Sequence, residues 1–466
     1  MKVNKTAIIC LFVYAVITIT RIINHSPWFD EAHAWTIAEQ LNFIDMFNYV
    51  KNEGHFFIWQ ALLYPFAHSH IIPYPYPMQA LNWIFCFSAL IIMWWKAPFN
   101  NWIKALITFS FPFFGCYGVI ARCYSIGILL LFILAVMFEN KLKYPKTYAL
   151  LLVLCANTSV MALIGASAFG FLFLYDFLSN YEKKDKIWVY MILSFGAFLI
   201  LYQLFNMDYF GPIAGNRTPH ISVRIFRNAF VNGHLIINCL LAVLFSIPLI
   251  SYFYKNKVAL FFTSFTYFWL LVFSMGVYGA AFWHTYFFYI YLIIGLWLCK
   301  NLKDSKVALI IFAVISLIFI VHKPVNKDYY QVFGHKTREV IQFIERDDNL
   351  KNAAIIQNHG ALYTLIPYGS GKSYTLRNHC HEKINTDYDL LNNNDKMCAI
   401  KNTIEQAKRY PDKLKRLIDE NTYTFIDKTE YKIDKNIINV KYKDTLFIFK
   451  KYKDFENYSF WKIEVK

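Results

Sequence analysis

Two adjacent carboxylates, Asp30 and Glu31, lie between tryptophans in Pro27-Trp28-Phe29-Asp30-Glu31-Ala32-His33-Ala34-Trp35. This stretch follows the first apolar segment, which puts it at the mouth of a membrane span. Trp favours the zone where headgroups meet water, whereas ionised acids there need water or a partner. Two readings fit. Acids in the first turn of a surface helix are routine, because negative charge suits the N-terminal end of the helix dipole. The sharper reading is a catalytic acidic pair at the membrane surface, one carboxylate accepting the proton of an attacking group.

Other residues share that level. Arg122, in Ile120-Ala121-Arg122-Cys123-Tyr124, falls at the outer end of a span. It either snorkels to headgroups or clamps a phosphate bidentately. His284, in Phe282-Trp283-His284-Thr285-Tyr286, ends another span, and His234 begins a third. A lone interfacial histidine is most simply structural; His284 gains interest from sharing Arg122's level. Glu53-Gly54-His55 forms a polar turn within the first outer loop that could face the acidic pair. Asp208, Arg217, Arg224 and Arg227 lie in a later outer loop, where solvated charge or contact with anionic lipid accounts for them.

The elements that must position these residues follow from composition. The chain of 466 residues is 57% hydrophobic and 17% charged, against roughly one quarter charged in soluble domains. This composition indicates a polytopic α-helical membrane protein. A formal net charge of +16 might suggest nucleic acid elsewhere; here the lysines report topology. Apolar segments near 6–23, 78–95, 103–118, 120–138, 147–161, 163–179, 187–206, 235–253, 258–276, 284–299 and 306–321 read as about 11 spans. Arg21 through His25 offers no small-residue cleavage site, so the first segment reads as an uncleaved span rather than a signal peptide. Every second connection carries lysines, as at Lys96 and Lys104, Lys141 to Lys146, and Lys183 to Lys186. The positive-inside rule makes those connections cytoplasmic, with the N-terminus inside and the C-terminal region outside.

The outer loop 24–77 has structure of its own. Ile37, Leu41, Ile44 and Phe47 recur at helical spacing with Glu39, Gln40 and Asp45 off that face, and Phe56 to Phe66 follows. Both stretches read as amphipathic helices on the membrane surface. From 322 to 466 the composition turns to Lys, Asn, Asp and Tyr, and the pattern predicts a soluble α/β domain. Its predicted elements are a helix over Lys336–Arg346 and strands at Ala353–Gln357, Tyr423–Ile426 and Thr445–Phe449. Gly369-Ser370-Gly371-Lys372-Ser373 imitates a phosphate loop, but Ile366 stands where the first glycine belongs. Cys380 and Cys398 are the domain's cysteines, and an oxidising exterior would permit them to pair.

With these residues the chain resembles bacterial GT-C fold glycosyltransferases, specifically relatives of protein O-mannosyltransferases and the lipid A aminoarabinose transferase. The resemblance rests on Trp28 to Trp35, Glu53-Gly54-His55 and Ile58-Trp59, with Ala121 to Tyr124 in support. It implies a GT-C-like transmembrane domain over 1–321, with 24–77 as catalytic outer loop, and an extracytoplasmic domain over 322–466, in a bacterial cytoplasmic (inner) membrane. It implies a sugar donor on a polyprenyl phosphate and a glycan, lipid or protein acceptor, with no nucleic acid. Asp30 would be the base and Glu31 its helper. Arg122, His284 and Tyr124 would hold the lipid phosphate, and Trp28, His33, Trp35, Glu53 and His55 would line the substrate. Some relatives use a divalent metal, for which Asp30 with His33 or Glu53 would be the ligands here. The competing class is a lipid-linked sugar flippase or anion permease. Transport calls for ionisable groups near span midplanes, and these spans are nearly free of them.

A reporter fused after Lys466 tests the orientation. An extracytoplasmic reporter such as alkaline phosphatase should be active there, and activity only from a cytoplasmic reporter would invert the topology.

Overall fold

A computed structural model describes residues 4–50, 55–180, 183–205, 235–274, 282–299, 306–321, 337–357, 364–368, 375–378, 403–409, 411–428, 435–455 and 458–466. The apolar half carries α1 (Lys5–Asn24), α2 (Phe29–Gln40), α3 (Phe43–Val50), α4 (Ile58–Ser69), α5 (Tyr76–Lys96), α6 (Asn101–Phe109), α7 (Tyr124–Met137), α8 (Pro145–Ala156) and α9 (Val160–Asn180). It continues with α10 (Lys183–Phe205), α11 (Leu235–Tyr254), α12 (Lys257–Phe273), α13 (Phe282–Thr285), α14 (Phe287–Leu298) and α15 (Lys306–Val321). Among the described residues four helices are long and apolar enough to cross a membrane: α1, α5, α9 and the Lys186–Leu204 stretch of α10. Shorter apolar helices accompany them. The chain is therefore that of a membrane-associated, mostly helical protein.

Two local breaks have plain causes. The segment read as one span over 103–118 is α6 followed by a π-helical turn, Pro112–Tyr117. Pro112 has no N–H to continue an α ladder, and π turns commonly mark functional positions. Between α8 and α9, Thr158 returns its hydroxyl to the Cys155 carbonyl, and the Ser159 Oγ accepts from the Ala162 N–H. Ser159 thereby caps the start of α9.

The chain divides into two compact units. One comprises Met1–His25, Phe43–Leu63 and Tyr76–Val332; the other comprises Ser26–Asn42, Tyr64–Pro75 and Phe333–Lys466. The 24–77 segment is thus shared out: α2 belongs with the C-terminal segment, and α3 with the apolar helices. The expected continuous amphipathic face is interrupted at Leu41-Asn42. Ile37 and Leu41 are buried, whereas Ile44 is 71% exposed. Within the apolar unit, α3 packs through Phe47 against Tyr202 of α10, and Asn48 accepts from the Tyr202 hydroxyl at 3.0 Å. The division on the other side falls between Leu63 and Tyr64 of α4, beside Pro65.

The second unit holds a six-stranded sheet in the order β2-β1-β3-β6-β5-β4. Its strands are β1 (Ala354–Gln357), β2 (Thr375–Asn378), β3 (Thr422–Asp427), β4 (Ile437–Tyr442), β5 (Thr445–Phe455) and β6 (Tyr458–Val465). β1 pairs in parallel with β2 and β3; the remaining pairs are antiparallel. Alternation along the strands sends Ile426, Phe447, Phe449, Trp461 and Ile463 to one face. There they pack with Ile404 and Ala407 of α17 (Thr403–Arg409) and Leu414 and Leu417 of α18 (Pro411–Leu417). The opposite face receives Phe343 of α16 (Thr337–Arg346) against Phe455 and Phe460. The predicted buried stripe of α16, Val340, Ile341 and Ile344, is buried as expected.

Helix α2 and the 64–75 segment add an aromatic cluster to this unit. Trp35 meets Tyr74 at 5.5 Å between ring centroids, and Tyr74 meets Tyr368 at 4.8 Å. Glu39, expected to face outward, is instead nearly buried, with His70 Nδ1 3.9 Å away as a weak, exposed partner. Burial pushes its carboxyl up to about 7, against the opposing pull of Trp35. An acid raised on folding contributes stability that is complete below the unfolded value of about 4.5, and that is lost as pH rises through about 7. Glu39→Gln should therefore flatten the pH dependence of thermal unfolding in this window. It should stabilise the protein above it by on the order of 2–3 kcal/mol. Parallel pH profiles for variant and parent would show that Glu39 ionises normally.

Candidate active site

In the apolar unit a buried amide organises one polar end. Asn82, one turn after Gln79 on α5, is fully buried. Its Nδ2 donates to the Tyr117 carbonyl at 2.9 Å, and its Oδ1 accepts from Ser125 Oγ at 2.7 Å and the Arg122 N–H at 3.4 Å. One side chain thus clasps both ends of the loop joining the π turn to α7. A second clasp runs from the Tyr117 hydroxyl to the Trp283 carbonyl at 2.7 Å, tying the π turn to α13. Gly118 is required by close approach: a Cβ there would collide with the Tyr14 hydroxyl and the Phe113 carbonyl. Tyr14 itself donates to that carbonyl at 3.0 Å. Gln79 Nε2 donates to the His25 carbonyl at 3.2 Å, holding the exit of α1.

On this frame Arg122, Tyr124, His284 and His55 come together. Tyr124 Oη lies 2.9 Å from His284 Nε2 and 3.3 Å from His55 Nε2. The guanidinium carbon of Arg122 stands 5.7 Å from the Tyr124 ring centroid, within cation–π range. Arg122, Tyr124 and His284 are all buried. A hydroxyl has one proton, so Tyr124 donates to one imidazole and accepts from the other, and the two rings take complementary tautomers. Burial first, then Arg122 and His284, hold His55 well below the ordinary histidine value, so it is neutral at physiological pH. The arrangement sets one fixed positive charge beside hydrogen-bonded rings. Such a group suits an oxyanion better than a metal or a proton-transfer relay to bulk water.

The acidic turn lies in the other unit. Trp28 precedes α2 with extended backbone, and Glu31 Oε2 accepts from the Trp28 N–H at 3.0 Å. Glu31 is 0% exposed, its carboxylate serving one half of a capping box. Asp30 beside it is partly exposed. The two carboxylates, equivalent by spacing, therefore differ: Glu31 holds the helix start, and Asp30 retains access. His33 stacks on Phe29 at 5.6 Å, so Phe29 fixes its ring. Trp28 is half-buried, while Trp35 is buried against Tyr74 as part of the aromatic cluster.

Asn82, Gln79, Tyr117 and Ser125 were not singled out by sequence reasoning. The available signal was two amides one turn apart in an otherwise apolar span. Arg21 is a further buried cation, donating to the Phe114 carbonyl of the π turn at 2.9 Å. Glu53, His234, Asp208, the arginines of 207–234, the Gly369–Ser373 stretch and the Cys380–Cys398 pair lie outside the described residues. Among the described residues no three His, Cys, Asp or Glu side chains gather closely enough to hold a metal ion. No protein-family model, curated protein or solved structure matches the chain.

Glu31 and its variants distinguish capping from chemistry. Glu31→Ala should lower stability by about 0.5–2 kcal/mol, the usual cost of a lost cap. Glu31→Gln, which can still accept from Trp28, should retain most stability and function. Loss of function in a stably folded Glu31→Gln protein would return this residue to the chemistry.

Proposed function

We propose that the protein transfers a sugar from a polyprenyl-phosphate-linked donor to an extracytoplasmic glycan, lipid or protein acceptor. The reading places about eleven spans in a bacterial cytoplasmic membrane, N-terminus inside and C-terminal domain outside. It makes the chain a GT-C-like inverting glycosyltransferase. The observation that carries it is the buried Arg122–Tyr124–His284–His55 cluster, a preorganised cationic group among neutral hydrogen-bonding rings. Guanidinium binds phosphate oxygens bidentately, and a lipid is the form in which phosphate reaches such an apolar unit.

In this mechanism Asp30 accepts the proton of the acceptor hydroxyl or amine as that atom attacks the anomeric carbon. The bond from the anomeric carbon to the phosphate oxygen breaks, and the electron pair leaves on the lipid phosphate. Arg122 and His284 meet the charge that develops there, while Tyr124 and His55 fix the His284 ring. Attack opposite the departing phosphate inverts the anomeric centre. Glu31 supports Asp30 through the helix start, and Trp28 and His33 offer faces for sugar or prenyl contact. If a divalent metal takes part, Asp30 and His33 are the described candidates to hold it, and it would supply charge stabilisation.

Purified protein and labelled lipid-linked sugars provide the assay, read as released polyprenyl phosphate. Asp30→Asn should lower turnover by about 10²–10⁴-fold while donor binding survives. Arg122→Ala should lose binding and turnover together, as for a group that holds ground and transition states alike. Movement of intact lipid-linked sugar between leaflets, without cleavage and indifferent to Asp30→Asn, would identify a flippase instead.

A further inference from the structure

The sheet of the second unit carries a charged surface that the transfer chemistry does not use. Its register assigns Ile437, Asn439 and Lys441 of β4, Leu446, Ile448 and Lys450 of β5, and Lys462 and Glu464 of β6 to one face. This is the face opposite the Phe447–Phe449–Trp461 core. Helix α16 covers it only toward Phe455 and Phe460. Toward β4, the edge strand among the described residues, it is open: Ile437 is 55% exposed, and Lys441, Asn439 and Lys450 are exposed.

Charge on this face has one sign in excess. The register puts three lysines, Lys441, Lys450 and Lys462, and one acid, Glu464, on this face, a difference of +2. Glu464 is engaged by Lys450, whose Nζ bonds both carboxylate oxygens at 2.7 Å, and Lys462 and Lys466 also act on it. Besides the bonded Lys450, the face carries Lys441 and Lys462. The adjoining hairpin turn adds the exposed Lys443, whereas Tyr442 before it has the register parity of the core face. Lysine beside exposed isoleucine is the composition of an interfacial surface. The apolar groups enter the headgroup zone, and the ammonium groups meet phosphate.

We propose that the outer face of β4–β5–β6, centred on Ile437, Lys441 and Lys462, docks on the headgroups of anionic phospholipids. Lysine placement on an edge strand also guards against strand pairing. That role accounts for Lys441 and Lys443 but not for Lys462, which is on the inner strand β6. Charge complementarity selects an anionic bilayer as the occupant, and the chain's own apolar helices keep one within reach.

The test uses full-length protein in nanodiscs of phosphatidylcholine, with or without phosphatidylglycerol, and a photoreactive benzoylphenylalanine replacing Ile437. Mass spectrometry reads the adducts. A control position is Lys408, exposed on α17 at the opposite face of the sheet. Irradiation should yield phosphatidylglycerol adducts at 437 several-fold above those at 408. Lys441→Gln with Lys462→Gln should cut them on the order of tenfold, each lysine near a charged surface counting for a large part of that. Lys441→Arg with Lys462→Arg should restore them, and unchanged protease resistance of the C-terminal region checks the fold. Adducts no higher than at 408, equal yields without phosphatidylglycerol, or crosslinks to a second copy of the chain would each overturn the docking.

Discussion

A single buried amide holds one polar end of the apolar unit. Asn82 sits where water cannot substitute for a missing partner, so its donor and acceptor must both be answered by protein. They are answered by Tyr117, Ser125 and the backbone of Arg122. The cost of leaving such a group unsatisfied is what makes the loop around it stiff, about 1–3 kcal/mol for each lost partner. A stiff loop in turn places Arg122 and Tyr124 without further ordering when a ligand arrives. Preorganisation of this kind is the condition under which a buried charge helps a reaction rather than merely destabilising the fold.

The same logic explains the division of labour between the two acids. A carboxylate that is completely buried and bonded to a backbone N–H is committed to structure. Its neighbour one residue earlier is partly exposed and keeps its access. Sequence spacing shows the pair but cannot show which member is spent on the helix start, because both occupy first-turn positions favoured by the dipole. Only the hydrogen bond from Trp28 separates them.

Much of the architecture was legible from apolar runs, since each long run carries helix. Arg122 and His284 were identifiable by their common level, with Tyr124 beside Arg122. His55 was read as facing the acidic pair, and its bond to Tyr124 was not foreseen. What escaped had physical causes. The third apolar run looked continuous because a π turn conserves composition while changing geometry. Glu39 looked solvent-facing because the 3.6-residue period was extended through Leu41 and Asn42, where the helix ends. Strands β4 and β6 were missed because lysine and asparagine interrupt their alternation, although Ile438 and Val440, then Phe460, and Trp461, Ile463 and Val465, are there to be read. Sharing of the 24–77 segment between the two units was invisible, because it depends on tertiary packing rather than on any local preference.

On the proposed reading, Arg122 and the rings around it hold a phosphate carried by a lipid. Native mass spectrometry of the full-length protein, released from membranes under gentle conditions, tests this most directly. The wild-type chain should carry a polyprenyl phosphate or its sugar-linked form. That lipid should be lost from a folded Arg122→Ala protein and retained by Asp30→Asn. A wild-type chain that fails to bind added polyprenyl phosphate, or an Arg122→Ala chain that binds it equally well, would contradict the account.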